Sequence, residues 1–244
     1  MIKLMDVSEW QGDIDYNEVK ASGIEGVIIR AGYGKGNVDG RFASNMKRAI
    51  AADLKYIGVY WFSYAYTVDM ARKEAEYCDQ LIWQYAKDIN LPIFFDWEYD
   101  SMEYAHKQGA YPGKTLITDM IDVFCEKIKE LGYDAGYYTN WDYYNNYINH
   151  DKLDHKIWLA DWDDEVIDWC YVQQYTDKGK VNGVDGNVDM NYLIGSIPDA
   201  PEKDYQTVDD VVRGIWDGDF GNGEERKDRL YDYFQNKVNE GRPD

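Results

Sequence analysis

The sequence predicts an α/β protein: an irregular TIM-like β/α barrel of eight strands, with incomplete helices late in the barrel, followed by a small helical C-terminal module. Three observations carry this. Eight short apolar runs recur within residues 1–196, and helical stretches separate the early ones. Such alternation implies a parallel sheet, and eight strands in a chain segment of about 195 residues imply closure rather than an open sheet. Beyond residue 196 the strand pattern stops, and only helical periodicity returns.

The strand candidates are residues 3–8 (KLMDVS), 25–33 (EGVIIRAGY), 56–64 (YIGVYWFSY), 91–98 (LPIFFDWE), 134–139 (DAGYYT), 156–161 (KIWLAD), 170–176 (CYVQQYT) and 184–193. Asp15 followed by Glu18 has the spacing of a capping box. Leu116, Met120, Val123, Ile128 and Leu131 approximate one apolar helix face. Gly23 and Gly132 fall where helix ends favour a residue tolerant of positive φ. The last three strands are joined by segments too short for full helices.

Residues 1–196 therefore read as the barrel, and 197–206 (IPDAPEKDYQ), with two prolines, as a linker. In residues 207–244 Val208, Val211, Val212 and Ile215 follow i, i+3, i+4, i+7, with Thr207 and Asp210 placed to cap that helix. A glycine-rich stretch interrupts, and helix returns from residue 224 to about 239. So short a piece rarely buries a sufficient core, so it either docks on the barrel or is marginal.

Composition narrows function. Among 244 residues, 46 acids against 26 Lys plus Arg leave a net charge of −20. Nucleic acids and anionic membranes require a cationic surface, so neither is an expected partner. The 23 Tyr and 9 Trp suit a protein that stacks rings on something flat or sugar-like, with a well-packed aromatic core accounting for about half of them. The first residues carry no secretory signal and no run is long enough to span a bilayer, so synthesis in the cytoplasm without an export tag, and no membrane insertion, are expected. Cys78, Cys125 and Cys170 match neither a disulfide framework nor a metal spacing and read as buried thiols. His106, His150 and His155 lack the spacing of a zinc protease helix. No metal or cofactor is expected.

In a β/α barrel, functional groups project from the C-terminal strand ends. Those ends carry Asp6, Arg30, Tyr64, Asp96 with Glu98, Tyr138, Asp161, Gln174 and Asp189. Converging carboxylates destabilise one another unless some are protonated, and that is how a carboxyl gains the raised pKa of a general acid. In FFDWEYD, strand alternation puts Asp96 and Glu98 on one face, with backbone positions roughly 6.6 Å apart. That separation falls between those of retaining and inverting glycosidases and leaves the stereochemistry open. An isolated Asp-x-Glu more often caps the next helix; the aromatic company and the other strand-end acids argue against that here. Tyr33, Trp61, Tyr64, Tyr138 and Trp162 are candidates to stack on sugar, and Arg30 to hold a carboxylate bidentately unless a strand-end acid pairs with it. Two segments resemble calcium loops, at Asp185-Asn187-Asp189 and from Asp217, but Met190 and Asn222 stand where the loop requires Gly.

The combination DVSEWQG, GVIIRAGYG, IGVYWFSYA, PIFFDWE, IWLADW, YVQQYT and VDGNVDMN, in that order over about residues 2 to 194, resembles the family 25 glycoside hydrolases, lysozymes of bacteria and bacteriophages. The resemblance implies an irregular β/α barrel and cleavage of the β-1,4 bond from N-acetylmuramic acid to N-acetylglucosamine in bacterial peptidoglycan. Glu98 would be the general acid and base, Asp96 its partner, and Asp6 and Asp189 the rest of the acidic cluster. Residues 207–239, with GDFGNGEERKDRL, are similar to the small cell-wall-binding repeat of streptococcal phage lysins, implying wall contacts through Gly221, Asn222, Gly223 and Arg226. Phe220 stands where that repeat usually has Trp. The rival readings are a non-catalytic wall-binding barrel and a chitinase. The chitinase reading is disfavoured because the positions before Asp96 are Ile93, Phe94 and Phe95 instead of a longer acidic motif.

Overall fold

The computed structural model describes residues 1–163 and 165–196, together with Val211, Val212, Ile215, Phe220, Arg226, Lys227, Leu230, Tyr231, Tyr233 and Phe234. The strands are β1 (Ile2–Val7), β2 (Gly26–Tyr33), β3 (Asn37–Val38), β4 (Tyr56–Phe62), β5 (Ile93–Asp96), β6 (Ala135–Asn140), β7 (Lys156–Ala160), β8 (Val172–Gly179) and β9 (Val188–Leu193). All but β3 close into an eight-stranded barrel, because β1 pairs with β2 on one side and β9 on the other. β3 is a two-residue hairpin arm on β2.

One expectation is corrected. β9 runs antiparallel to both β8 and β1, so the barrel is mixed and not wholly parallel. The cause is the connection: residues 180–187 are too few for a helical crossover, and a short link returns the chain in the opposite direction. β9 therefore begins at the mouth where the parallel strands end, and Asp189 reaches that mouth from the N-terminal end of its strand.

Helices α1 (Tyr16–Ala21), α2 (Phe42–Ala51), α3 (Val68–Ile82), α4 (Tyr99–Lys107) and α5 (Lys114–Glu130) clothe the first half. Asp15 caps α1, its carboxylate accepting from the N–H groups of Asn17 and Glu18. Gly23 and Gly132 follow α1 and α5 with φ of 85° and 94°. The buried face of α5 is Ile117, Met120, Ile121, Phe124, Cys125 and Ile128, so it is rotated from the expected one; Leu116 and Val123 are only half-buried. After β6 a five-residue π-helical turn (Tyr143–Tyr147) replaces a full helix, and after β7 an irregular loop does. All three cysteines are free and buried. Among the described residues no helix is long and apolar enough to cross a membrane. The expected linker, residues 197–206, lies outside the described residues.

Two cores form because strand side chains alternate. Met5, Val27, Ile57, Val59, Trp61, Ile93, Phe95 and Tyr137 face the helices. Leu4, Ile28, Tyr56, Tyr60, Phe94, Trp158, Val172 and Leu193 fill the barrel. Large rings fit inside because glycine lies beside them. A methyl group on Gly136 would come within 2.8 Å of the Phe94 ring and 2.5 Å of the Lys156 carbonyl oxygen. Gly136→Ala is therefore expected to destabilise by roughly 1–3 kcal/mol, read as a lower denaturant midpoint with an unchanged m-value; wild-type stability would show that the interior tolerates the methyl.

Candidate active site

Trp158 is the hub of the barrel interior. Its ring meets those of Tyr138 at 5.0 Å, Phe94 at 5.3 Å and Tyr60 at 5.7 Å between centroids. Its Nε1–H donates to Asn191 Oδ1 at 2.7 Å. An indole can only donate, so Asn191 must turn its amide nitrogen the other way. That nitrogen donates to Asp6 Oδ2 at 2.8 Å. Gln174 Nε2 donates to the same oxygen at 3.1 Å, and its Oε1 accepts from the Tyr138 hydroxyl at 3.3 Å. The floor of the mouth is thus a directed hydrogen-bond chain ending on Asp6.

Asp6 and Asp189 are register partners across β1 and β9, with their carboxyls hydrogen-bonded to each other. Burial raises Asp6 to about 8, the negative charge of Asp189 adds to this, and the amides of Asn191 and Gln174 oppose it. Asp189 is raised by burial and by Asp177, and lowered by its bond from Asp6. The pair is best described as two carboxyls holding one proton.

Asp96 ends β5, buried, with Oδ1 lacking a hydrogen-bond partner. Burial, then Glu98, then Asp6 push it well above the carboxylate range, against the pull of Arg30. The capping reading argued against in the sequence holds for Glu98, which is the N-cap residue of α4 in extended backbone while still aimed at the mouth, and its N–H donates to Ser101 Oγ at 3.1 Å. Between them Trp97 faces outward and donates Nε1–H to the Ala65 carbonyl at 2.8 Å, which fixes the alternation that aims both carboxyls one way. Burial raises Glu98 to about 7, with Asp100 and then Asp189 contributing. Burial and the surrounding acids also push the Tyr60 and Tyr138 hydroxyls up, so both stay protonated donors.

The structure brings Asp6, Asp96, Glu98, Tyr138, Gln174 and Asp189 together. Asp161 is buried at the end of β7, its backbone N–H bonded to the Gln174 carbonyl at 2.9 Å. Tyr33 and Tyr64 meet edge to face at 6.3 Å on the β2–β4 side, half-buried, and Trp162 is exposed on the rim. Two expectations are corrected. Trp61 is fully buried among the helices, because its odd position on β4 faces away from the bore; Tyr60 occupies the inward position instead. Arg30 is already engaged, its Nε with Asp39 at 2.7 Å and Nη2 with Glu9 at 3.0 Å, so a bidentate grip on a ligand would require breaking those pairs. Asp39, buried and also accepting from the Glu9 and Arg41 N–H groups, went unnoticed in sequence because it lies in a loop without periodic signal. Strand alternation puts Asn191 on the same face as Asp189, as the structure has it, and the same alternation on β7 is the signal that would have found Trp158, which orients Asn191 toward Asp6.

Metal-type ligand atoms gather at Asp122, Glu126 and His155, within 4.8 Å of one another. That cluster sits before β7, at the barrel end opposite the mouth, where His155 Nε2 meets Asp122 at 2.9 Å and Lys129 pairs with Glu126 at 3.0 Å. In the C-terminal segment, Phe220 is buried against Tyr233 at 5.9 Å and Arg226 lies on a helix, while Gly221, Asn222 and Gly223 fall outside the described residues.

Residues 5–184 match the model for glycosyl hydrolases family 25. The chain belongs to that family. Residues 209–241 match a second model, the CW_7 repeat. The family member is 29% identical over 193 residues to an autolytic lysozyme of Clostridium acetobutylicum, covering 78% of this chain and 55% of that one. It is 26% identical to lysozyme M1 of Streptomyces globisporus, covering 79% and 67%. Among solved structures it resembles the modular autolysin LytC of Streptococcus pneumoniae, described in complex with a synthetic peptidoglycan ligand, with a TM-score of 0.66, 27% identity, and coverage of 78% of this chain and 46% of that one. This family 25 chain thus spans about half the length of the clostridial lysozyme and of LytC.

Proposed function

We propose that the chain is a peptidoglycan hydrolase, an N-acetylmuramidase cleaving the β-1,4 bond between N-acetylmuramic acid and N-acetylglucosamine, of the kind a lysin uses against the bacterial wall. The observation that carries this is Glu98, mounted at the start of α4 and raised to about 7 beside the more deeply buried Asp96. A carboxyl near neutrality is matched to giving and taking one proton.

Glu98 donates its proton to the glycosidic oxygen as the bond to the anomeric carbon breaks. Attack on the anomeric carbon comes from the substrate's own 2-acetamido carbonyl, with Asp96 placed to orient the amide, so no protein nucleophile is needed. The amide N–H donates to Asp96, which favours its ionised form, its proton passing to solvent as substrate binds; that charge in turn keeps Glu98 protonated until it acts. Glu98 then takes a proton from the water that opens the cyclic intermediate and returns the anomeric configuration to β. The Asp6–Asp189 pair holds further negative charge near the developing cation. The match to the CW_7 repeat supports delivery to the wall by the C-terminal segment.

The test is mass analysis of muropeptides from purified walls, beside an NMR assay of the first anomer formed. Products ending in reducing N-acetylmuramic acid, initially β, are expected. Reducing N-acetylglucosamine ends, or activity on chitin alone, would overturn the muramidase reading, and an initial α anomer would overturn the assisted route.

A further inference from the structure

Beyond the carboxylates, the loops after β6 and β7 expose tryptophans that the mechanism does not use. Trp141, the first residue past β6, is 37% exposed, and Trp169, before β8, is 47% exposed. Their rings meet at 5.7 Å and 65°. Tyr144 wedges against both, at 5.7 Å from Trp141 and 5.3 Å from Trp169, and is itself stacked on His150 at 4.0 Å and 8°. The cluster therefore locks the indoles by their contacts with each other and leaves part of each to solvent, an arrangement that internal packing alone does not require.

The backbone beneath is also held. Asn145 Nδ2 donates to the Trp141 carbonyl at 2.8 Å, and Lys114 Nζ to the Asn145 carbonyl at 3.0 Å. The Tyr99 hydroxyl donates to Asp142 Oδ2 at 2.9 Å. Tyr99 follows Glu98 directly, so the residue beside Trp141 is tied to the residue beside the candidate acid. The segment that carries Trp141 is thus a direct neighbour of the start of α4, where Glu98 sits. Its chemistry selects the occupant: Asp142, Asp151, Glu165 and Asp168 in the same loops disfavour an anionic ligand, whereas the C–H faces of a pyranose suit exposed indoles.

Resting on the peptidoglycan reading, we propose that Trp141 and Trp169 form a distal sugar shelf, binding a pyranose of the glycan strand beyond the two that flank the cleaved bond. The test measures KM and kcat for the full chain on long soluble glycan strands and on a tetrasaccharide too short to reach the shelf. Trp141→Ala and Trp169→Ala are each expected to raise the long-to-short KM ratio roughly 5- to 10-fold, with kcat on long strands retained and Trp141→Phe intermediate. An unchanged ratio overturns the shelf, and so does an equal loss on both substrates, which would assign the cluster to packing. A second readout separates this from failure of the hydrolase reading. Quenching of tryptophan fluorescence by long strands in Glu98→Gln, lost in Glu98→Gln/Trp141→Ala, supports the shelf even if the wild type releases no muramic reducing ends. Identical quenching in both overturns it.

Discussion

Glu98→Gln is expected to lower kcat/KM on purified peptidoglycan by about 10³-fold, near the middle of the range that general acid–base catalysis supplies, with the fold intact. The substitution keeps the size of the side chain, leaves the backbone N–H bond to Ser101 in place, and removes a carboxyl that burial and the charges of Asp100 and Asp189 oppose ionising. The fold therefore loses little, and under the proposed mechanism the reaction loses the group that protonates the leaving oxygen and activates water. The wild-type pH profile follows from the same carboxyl. With Glu98 at about 7 in the free protein, kcat/KM should fall as the pH rises through that value, since the ionised form cannot act as acid. Near-normal turnover by Glu98→Gln, or a descending limb unrelated to neutrality, would remove Glu98 from its role.

Barrel class and strand positions were legible in the sequence because each depends on local alternation and on caps such as Asp15. So were the acids of the mouth, since a strand end is a local property. What alternation does not encode is direction: β9 reads as one more strand, and its antiparallel course is visible only in the shortness of residues 180–187. Parity was available but unused for Trp61, which cannot share a face with Tyr64 in a regular strand. Arg30 illustrates a different limit, because its partners Glu9 and Asp39 lie in loops brought to it by closure of the sheet. Glu74 on α3 is a fourth case. It is a buried acid raised to about 8 that accepts from the Tyr64 N–H at 3.1 Å, inside a helix whose sequence there reads as polar surface.

These buried acids make acidity an expected source of stability. Asp6 holds its proton in the folded chain to about 8, whereas its ordinary value is 3.8. Folding therefore takes up a proton wherever the unfolded chain has released it. The contribution is fully present below about pH 4 and is lost as the pH rises toward 8. Glu74 at about 8 and Glu98 at about 7 act in the same direction. Each such group gives a slope of about 1.4 kcal/mol per pH unit, so the protein should be more stable at pH 5 than at pH 7.5. Asp6→Asn isolates one contribution. Its Oδ1 can accept from Asn191 and Gln174 as Asp6 does, and its Nδ2 can donate to Asp189 in place of the shared proton. The variant is expected to match wild type near pH 4 and to exceed it at pH 7 by roughly 4 kcal/mol, a thermal midpoint about 8–16 °C higher for a domain of this size. Stability curves for the two proteins that run parallel from pH 4 to 8 would show that the Asp6–Asp189 pair is not proton-sharing in the folded chain.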